Sequence, residues 1–188
     1  GTTSNTPNNL TVYGNTFLNG FYGIYLYGVG YTSNSITGLT VDSNFFGTNV
    51  SNSPSSGTMY LYYATAPQIT RNTLYGRSAS TTGVGIYYGS GNINVSRNIF
   101  QFSSGGYAID IQNANQNSET SGGSVVNNAI SLGGTSTARG ITIGSSALMD
   151  VAYNSIYSSS TVASSSNVGI YTYGSNTLTH KNVSLYNN

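Results

Sequence analysis

The chain of 188 residues has no cysteine and no tryptophan, one histidine and three prolines. Without cysteine there is no disulfide framework and no thiolate metal site. Charge is almost as scarce. Only 5% of residues are charged, five Lys or Arg against four Asp or Glu, where ~25% is usual for soluble domains. No basic stripe exists to neutralise phosphates, which argues against a nucleic-acid partner. No stretch approaches the ~20 apolar residues of a membrane-spanning helix. The chain opens at Gly1 without a signal-peptide pattern, as expected of a processed or excised segment. His180 stands beside Lys181 with no partners for a Ser–His–acid set or a metal site, and no cofactor is called for. Solubility rests on hydroxyl and amide side chains, a surface that suits an extracellular or cell-surface protein.

What the chain does have is a repeat. Six times an asparagine follows a Val or Ile by three residues and precedes a Phe, Leu or Ile by two, in LTVYGNTF, LTVDSNFF, PQITRNTL, INVSRNIF, GSVVNNAI and MDVAYNSI. The asparagines are Asn15, Asn44, Asn72, Asn98, Asn128 and Asn154, at intervals of 29, 28, 26, 30 and 26 residues. Self-similarity at that period means one supersecondary unit stacked on itself. Seventeen tyrosines, six phenylalanines and regular aliphatic spacing separate this Gly/Ser/Asn-rich chain from disordered ones.

A second marker lies between the asparagine turns, a short alternating strand that mostly follows glycine. It reads GIYLYG from Gly23, TMYLYY from Thr58, GIYYG from Gly85, AIDIQ from Ala108, GITIG from Gly140 and GIYTYG from Gly169. Alternation points Ile24 and Leu26 inward and Tyr25 and Tyr27 outward, and likewise buries Met59, Leu61, Ile109, Ile111, Ile141 and Ile143. Each coil then has three strands: this first type, a second ending at Val12, Val41, Ile69, Val95, Val125 and Val151, and a third starting near Phe17, Phe46, Leu74, Phe100, Ile130 and Ile156. One coil cannot bury its apolar face, but stacked coils can. Asn is placed at the turn for its tolerance of left-handed backbone, and stacked amides form a ladder.

The spacing predicts an all-β fold, a right-handed parallel β-helix of about six to seven three-strand coils, as one domain over 1–188. The six Asn turns and Gly-Ile strands, from about Leu10 to Leu185, resemble the pectate-lyase-like superfamily of right-handed parallel β-helices. That resemblance implies the fold strongly and the function weakly, since lyases, hydrolases, tailspikes, adhesins and fibres share it. The last coil, LTHKNVSLYNN, fits the pattern either on Asn182 or with Val183 in the asparagine position. Exposed strand edges at the ends point to a longer protein or to end-to-end self-association.

The four acids are Asp42, Asp110, Glu119 and Asp150. Asp110 projects from a first-type strand, with Tyr87 and Thr142 as its stacked neighbours, and Glu119 follows in the next loop. Together they are the candidate catalytic pair, because glycoside hydrolysis needs two carboxylates. Arg71 and Arg97 precede ladder asparagines in adjacent coils and form a candidate anion site, or simply two side chains fanned into water. The outward Tyr25, Tyr27, Tyr60, Tyr62 and Tyr87 are the candidate binding residues. Stacked phenols stabilise a sheet by themselves, pack against proteins and suit sugar rings. The composition favours a non-catalytic extracellular structural or adhesive protein, with a surface protein or glycan as contact. A polysaccharide-active enzyme or carbohydrate-binding domain is the alternative.

Overall fold

Runs of β-branched and aromatic residues broken every few positions by Gly, Asn or Ser make short strands with tight corners. The structure, a computed structural model, describes residues 7–30, 35–116, 122–161, 167–174 and 183–188. Its strands form three parallel sheets visited in rotation. The first sheet comprises Tyr22–Tyr27, Gly57–Tyr62, Thr82–Tyr87, Gly106–Gln112, Ala138–Gly144 and Val168–Tyr173. The second comprises Thr11–Tyr13, Thr40–Asp42, Gln68–Thr70, Asn94–Ser96, Gly123–Val126, Met149–Ala152 and Val183–Tyr186. The third comprises Thr16–Phe17, Phe45–Phe46, Thr73–Gly76, Ile99–Phe102, Ala129–Leu132 and Ser155–Ser158.

The fold is an all-β parallel solenoid of about five turns. The expected six to seven coils come from counting asparagine corners. A turn is a step between successive strands of one sheet; the six-stranded first and third sheets enclose five such steps and the seven-stranded second sheet six. A fourth, two-stranded sheet of Ile36–Thr37 and Ala64–Thr65, with bridges Asn8–Thr37 and Thr65–Ser90, adds an unforeseen side to the early coils. No helix among the described residues is long and apolar enough to cross a membrane.

The core is a set of columns. Val41, Ile69, Val95, Val125 and Val151 line the second sheet, and Phe46, Leu74, Phe100 and Ile130 the third. Met59, Leu61, Ile109, Ile111, Ile141 and Ile143 line the first, and all of these are buried. Phe17 stacks on Phe46 with ring centroids 4.8 Å apart, the spacing of neighbouring strands.

The glycine of the first strand has a packing cause. Gly23 faces Phe46, Gly83 faces Phe100 and Gly140 faces Ile156; a Cβ on Gly83 would lie 2.3 Å from the Ala108 carbonyl oxygen and 2.8 Å from the Phe100 ring. At this corner two successive residues face inward, so the position before the marker faces out. Register also moves the marker in the third coil. Val84 pairs with Met59 and Ile109, so the corner residue is Gly83, not Gly85. A slip of two keeps every side chain on its face, which is why alternation alone misses it.

The asparagine ladder is continuous. Each rung sends a backbone N–H and an Nδ2–H to the Oδ1 of the next, from Asn15 through Asn44, Asn72, Asn98, Asn128 and Asn154. A seventh rung is Asn188, whose Oδ1 accepts from Asn154 N and Nδ2 at 3.2 and 3.0 Å. The last coil therefore registers with Leu185 opposite Val151, which replaces both sequence alignments. Val183 pairs instead with Met149, and Asn182 lies outside the described residues.

The left-handed residue is not the asparagine. It is the residue before it: Gly14, Ser43, Arg71, Arg97, Asn127, Tyr153 and Asn187 have φ between 51° and 67°. The asparagine acts through its side chain instead. The Nδ2 of Asn72, for example, also bonds the Val41 and Thr70 carbonyls, at 2.9 and 3.0 Å, and so closes the turn.

Replacing Asn98, fully buried within the ladder, by Leu strips partners from the amide groups of Asn72 and Asn128 and from the Ile69 carbonyl. The expected loss is about 3 kcal/mol or more, since each stranded buried group costs ~1–3 kcal/mol. Urea denaturation measures it, and unchanged stability would rule out a structural ladder.

Candidate functional site

Three columns of side chains stand on the outer face of the first sheet, one residue per strand. Parallel register aligns Tyr25, Tyr60, Gly85, Asp110, Thr142 and Tyr171 in one column. A second holds Tyr27, Tyr62, Tyr87, Gln112, Gly144 and Tyr173. The third, set by the corner, holds Tyr22, Gly57, Thr82, Tyr107, Arg139 and Val168. Tyr22, Tyr107 and Arg139 escaped the sequence reading because simple alternation turns them inward. The small residue after each of them was the available signal.

The first three coils carry a pavement of phenol rings. Tyr62 stacks on Tyr87 at 4.9 Å, Tyr60 on Tyr87 at 5.9 Å and Tyr27 against Tyr62 at 5.3 Å. Tyr22 packs on both Tyr25 and Tyr60 at 5.1 Å. Glycines seat these rings: a Cβ on Gly57 would fall 1.9 Å from the Tyr60 ring, and one on Gly85 2.9 Å from that of Tyr87. Thus the five predicted tyrosines do form one surface. Tyr25 and Tyr27 are about half exposed. Burial raises the hydroxyl pKa values of Tyr60 and Tyr62, which keeps those two rings uncharged at neutral pH.

Asp110 closes the pavement. It lies outward in the sheet yet is only 6% exposed. Its register partners are Gly85 and Thr142, while Tyr87 pairs with Gln112, which corrects the expected stacking of Asp110 on Tyr87. Tyr87 still reaches it diagonally. The Tyr87 hydroxyl donates to Oδ2 at 2.9 Å, and Gln112 Nε2 donates to Oδ1 and Oδ2 at 3.0 and 2.9 Å. Burial pushes the Asp110 carboxyl above the ordinary range, against the pull of Gln112, Tyr87 and the Arg139 charge. Burial, with the Asp110 charge behind it, also raises Tyr87 far above the usual phenol, so Tyr87 stays a donor. Beyond Asp110, the Arg139 guanidinium lies 4.3 Å from the Tyr171 ring centroid and 5.3 Å from that of Tyr107. Glu119 and His180 lie outside the described residues.

The arginine pair resolves differently. Arg71 Nε donates to Asp42 Oδ1 at 2.8 Å and its Nη2 pairs with Oδ2. The anion that Arg71 holds is therefore the protein's own. Arg71, with Thr70 and Ser43, brings the buried Asp42 carboxyl from 3.8 to about 2. Arg97 lines a shallow concavity of about 370 Å³ with Arg71, Asn94, Ser96 and Asn127. Asp150 stands exposed on the second sheet, facing a concavity with Gln68 and Ser124. An apolar groove of about 480 Å³ on the third sheet, between Ile99, Gln101 and Tyr157, has no counterpart in the sequence reading, because its width depends on how neighbouring coils line up.

The chain matches no protein-family model, no curated protein and no solved structure.

Two predictions follow from the acids, with opposite signs. The Asp42 pKa is depressed, so its contribution is present above about pH 4 and is lost as pH falls through about 2. The melting temperature of the wild type should drop across that window, and Arg71→Ala should shrink the drop. The Asp110 pKa is raised, so its charged form opposes folding at neutral pH and the penalty fades as pH falls. Asp110→Asn should melt higher than wild type at pH 7, by a margin that narrows at pH 4. A lower melting point at pH 7 would show that the carboxylate stabilises the fold.

Proposed function

We propose that this protein is a non-catalytic extracellular structural module: a rigid, nearly uncharged rod that presents the tyrosine pavement as an adhesive face. The observation that carries this reading is the continuity of Tyr22, Tyr25, Tyr60, Tyr62 and Tyr87 across three coils, with glycines making room for the rings. Flat rings with hydroxyl rims are the side chains most enriched where proteins meet partners. Two of the four acids favour binding over chemistry. Asp42 is neutralised by Arg71, and Asp110 is shut in by two donors.

The same reading includes stacking along the rod axis. Leu10, Val12, Phe17 and Leu26 at one end, and Ile156, Ile170 and Val183 at the other, are only partly covered. Either face fits a further coil, from this chain or from another copy. We also propose kinship with pectate-lyase-like β-helices, supported by the ladder and the three-sheet coil.

A second reading, a polysaccharide-active enzyme, draws on Asp110, whose raised pKa suits a general acid. One experiment separates the two. Beads coated with the chain are tested for retention on cellulose, amylose and gelatin surfaces, with reducing ends assayed in parallel. The triple variant Tyr25→Ala, Tyr60→Ala, Tyr62→Ala should lose retention by about tenfold or more, as for hot-spot aromatics. Undiminished retention, or reducing-end release that Asp110→Ala abolishes, would sink the adhesive reading.

A further inference from the structure

Next to Asp110 the outer face of the first sheet holds two polar atoms that the protein leaves unpartnered. Thr142 is one strand further on, in register with Asp110 and 1% exposed, and its Oγ1 has no hydrogen-bond partner. The Nε of Arg139, buried beneath the ring contacts of that side chain, has none either. Buried polar groups are satisfied almost without exception, so each orphan calls for an explanation. Thr142 stands beside the buried Asp110 carboxylate and the Arg139 charge acts on it, so the two orphans mark a place for a guest.

Donor and acceptor chemistry identifies the guest. Arg139 Nε can only donate, an ionised Asp110 can only accept, and Thr142 can do either. A cation would meet the guanidinium, and an anion would meet the carboxylate. A neutral hydroxyl satisfies all three, since its oxygen accepts from Arg139 Nε and from the Thr142 hydroxyl while its hydrogen goes to Asp110. The Arg139 guanidinium lies against the faces of Tyr171 and Tyr107 and has no ion pair among the described residues, so it can shift without breaking a salt bridge.

We propose that Asp110, Thr142 and Arg139 form a binding site for one neutral hydroxyl group, either a sugar hydroxyl of a saccharide laid on the tyrosine face or a single tightly held water. The saccharide source rests on the adhesive reading above; the water source does not. Asp110 is then a binding residue, held in place for that contact by Tyr87 and Gln112.

The test uses the full chain and its Thr142→Val variant, which keeps the side-chain shape and removes the hydroxyl. Amide chemical shifts are followed while cellohexaose, maltohexaose or mannohexaose is added, and unliganded crystals are solved at high resolution. A saccharide guest shifts the amides of Arg139, Thr142 and Tyr171, and Thr142→Val weakens that binding about tenfold or more. A water guest gives no shifts, but one ordered water within hydrogen-bond distance of all three side chains, lost in Thr142→Val. Either result supports the site. An unoccupied enclave, or Arg139 turned to bond Asp110 directly in the wild type, overturns it. Loss of bead retention in the tyrosine variant with full retention in Thr142→Val would keep the adhesive reading and discard the saccharide source.

Discussion

Everything in this molecule depends on parallel register between coils, and the buried asparagine amides are the interaction that fixes it. Hydrophobic columns alone tolerate a slip of two residues along a strand, because such a slip returns each side chain to its own face. An Asn one step out of register meets neither the Oδ1 above it nor the carbonyls that its Nδ2 closes. With almost no charge to pair across strands, the chain sets its register by amides, one per coil. Ring stacking follows from that register, as the spacing of Tyr62 and Tyr87 shows.

The inner and outer faces solve different problems with the same spacing. Inside, aliphatic side chains fill the space between three sheets, and small corner residues such as Gly83 let the Phe100 ring approach the backbone. Outside, glycine returns for the opposite purpose, giving Tyr60 and Tyr87 a flat bed. The two aspartates show the same division. Asp42 sits beside its arginine and gains from folding, whereas Asp110 is buried with neutral donors and opposes it. A fold that keeps a group at a cost in stability does so most often where it binds or reacts.

Much of this was legible in the sequence, for physical reasons. The three-residue step from Val41 to Asn44 and the two-residue step to Phe46 recur because each coil meets the same neighbours. The inward residues follow from a period of two. The face of Tyr25, Tyr27, Tyr60, Tyr62 and Tyr87 followed as well. The left-handed turn was one residue off, since Asn can serve either by backbone or by side chain and the pattern does not say which. Tyr22, Tyr107 and Arg139 were missed because the corner breaks alternation. The setting of Asp110 was missed because Tyr87 reaches it diagonally from the neighbouring strand. Asn188 was missed because the last interval, 34 residues, exceeds the others.

The ladder also has a direction. Every rung donates its backbone N–H toward the following coil and offers its Oδ1 toward the preceding one. The backbone carbonyls of the same residues point the other way, accepting from the following coil, so the fields largely cancel and the direction lies in the order of donors and acceptors. A chain with hardly any formal charge thus has a polarity written in hydrogen bonds. Two such rods placed head to tail would continue that order, while head to head they would bring like groups together.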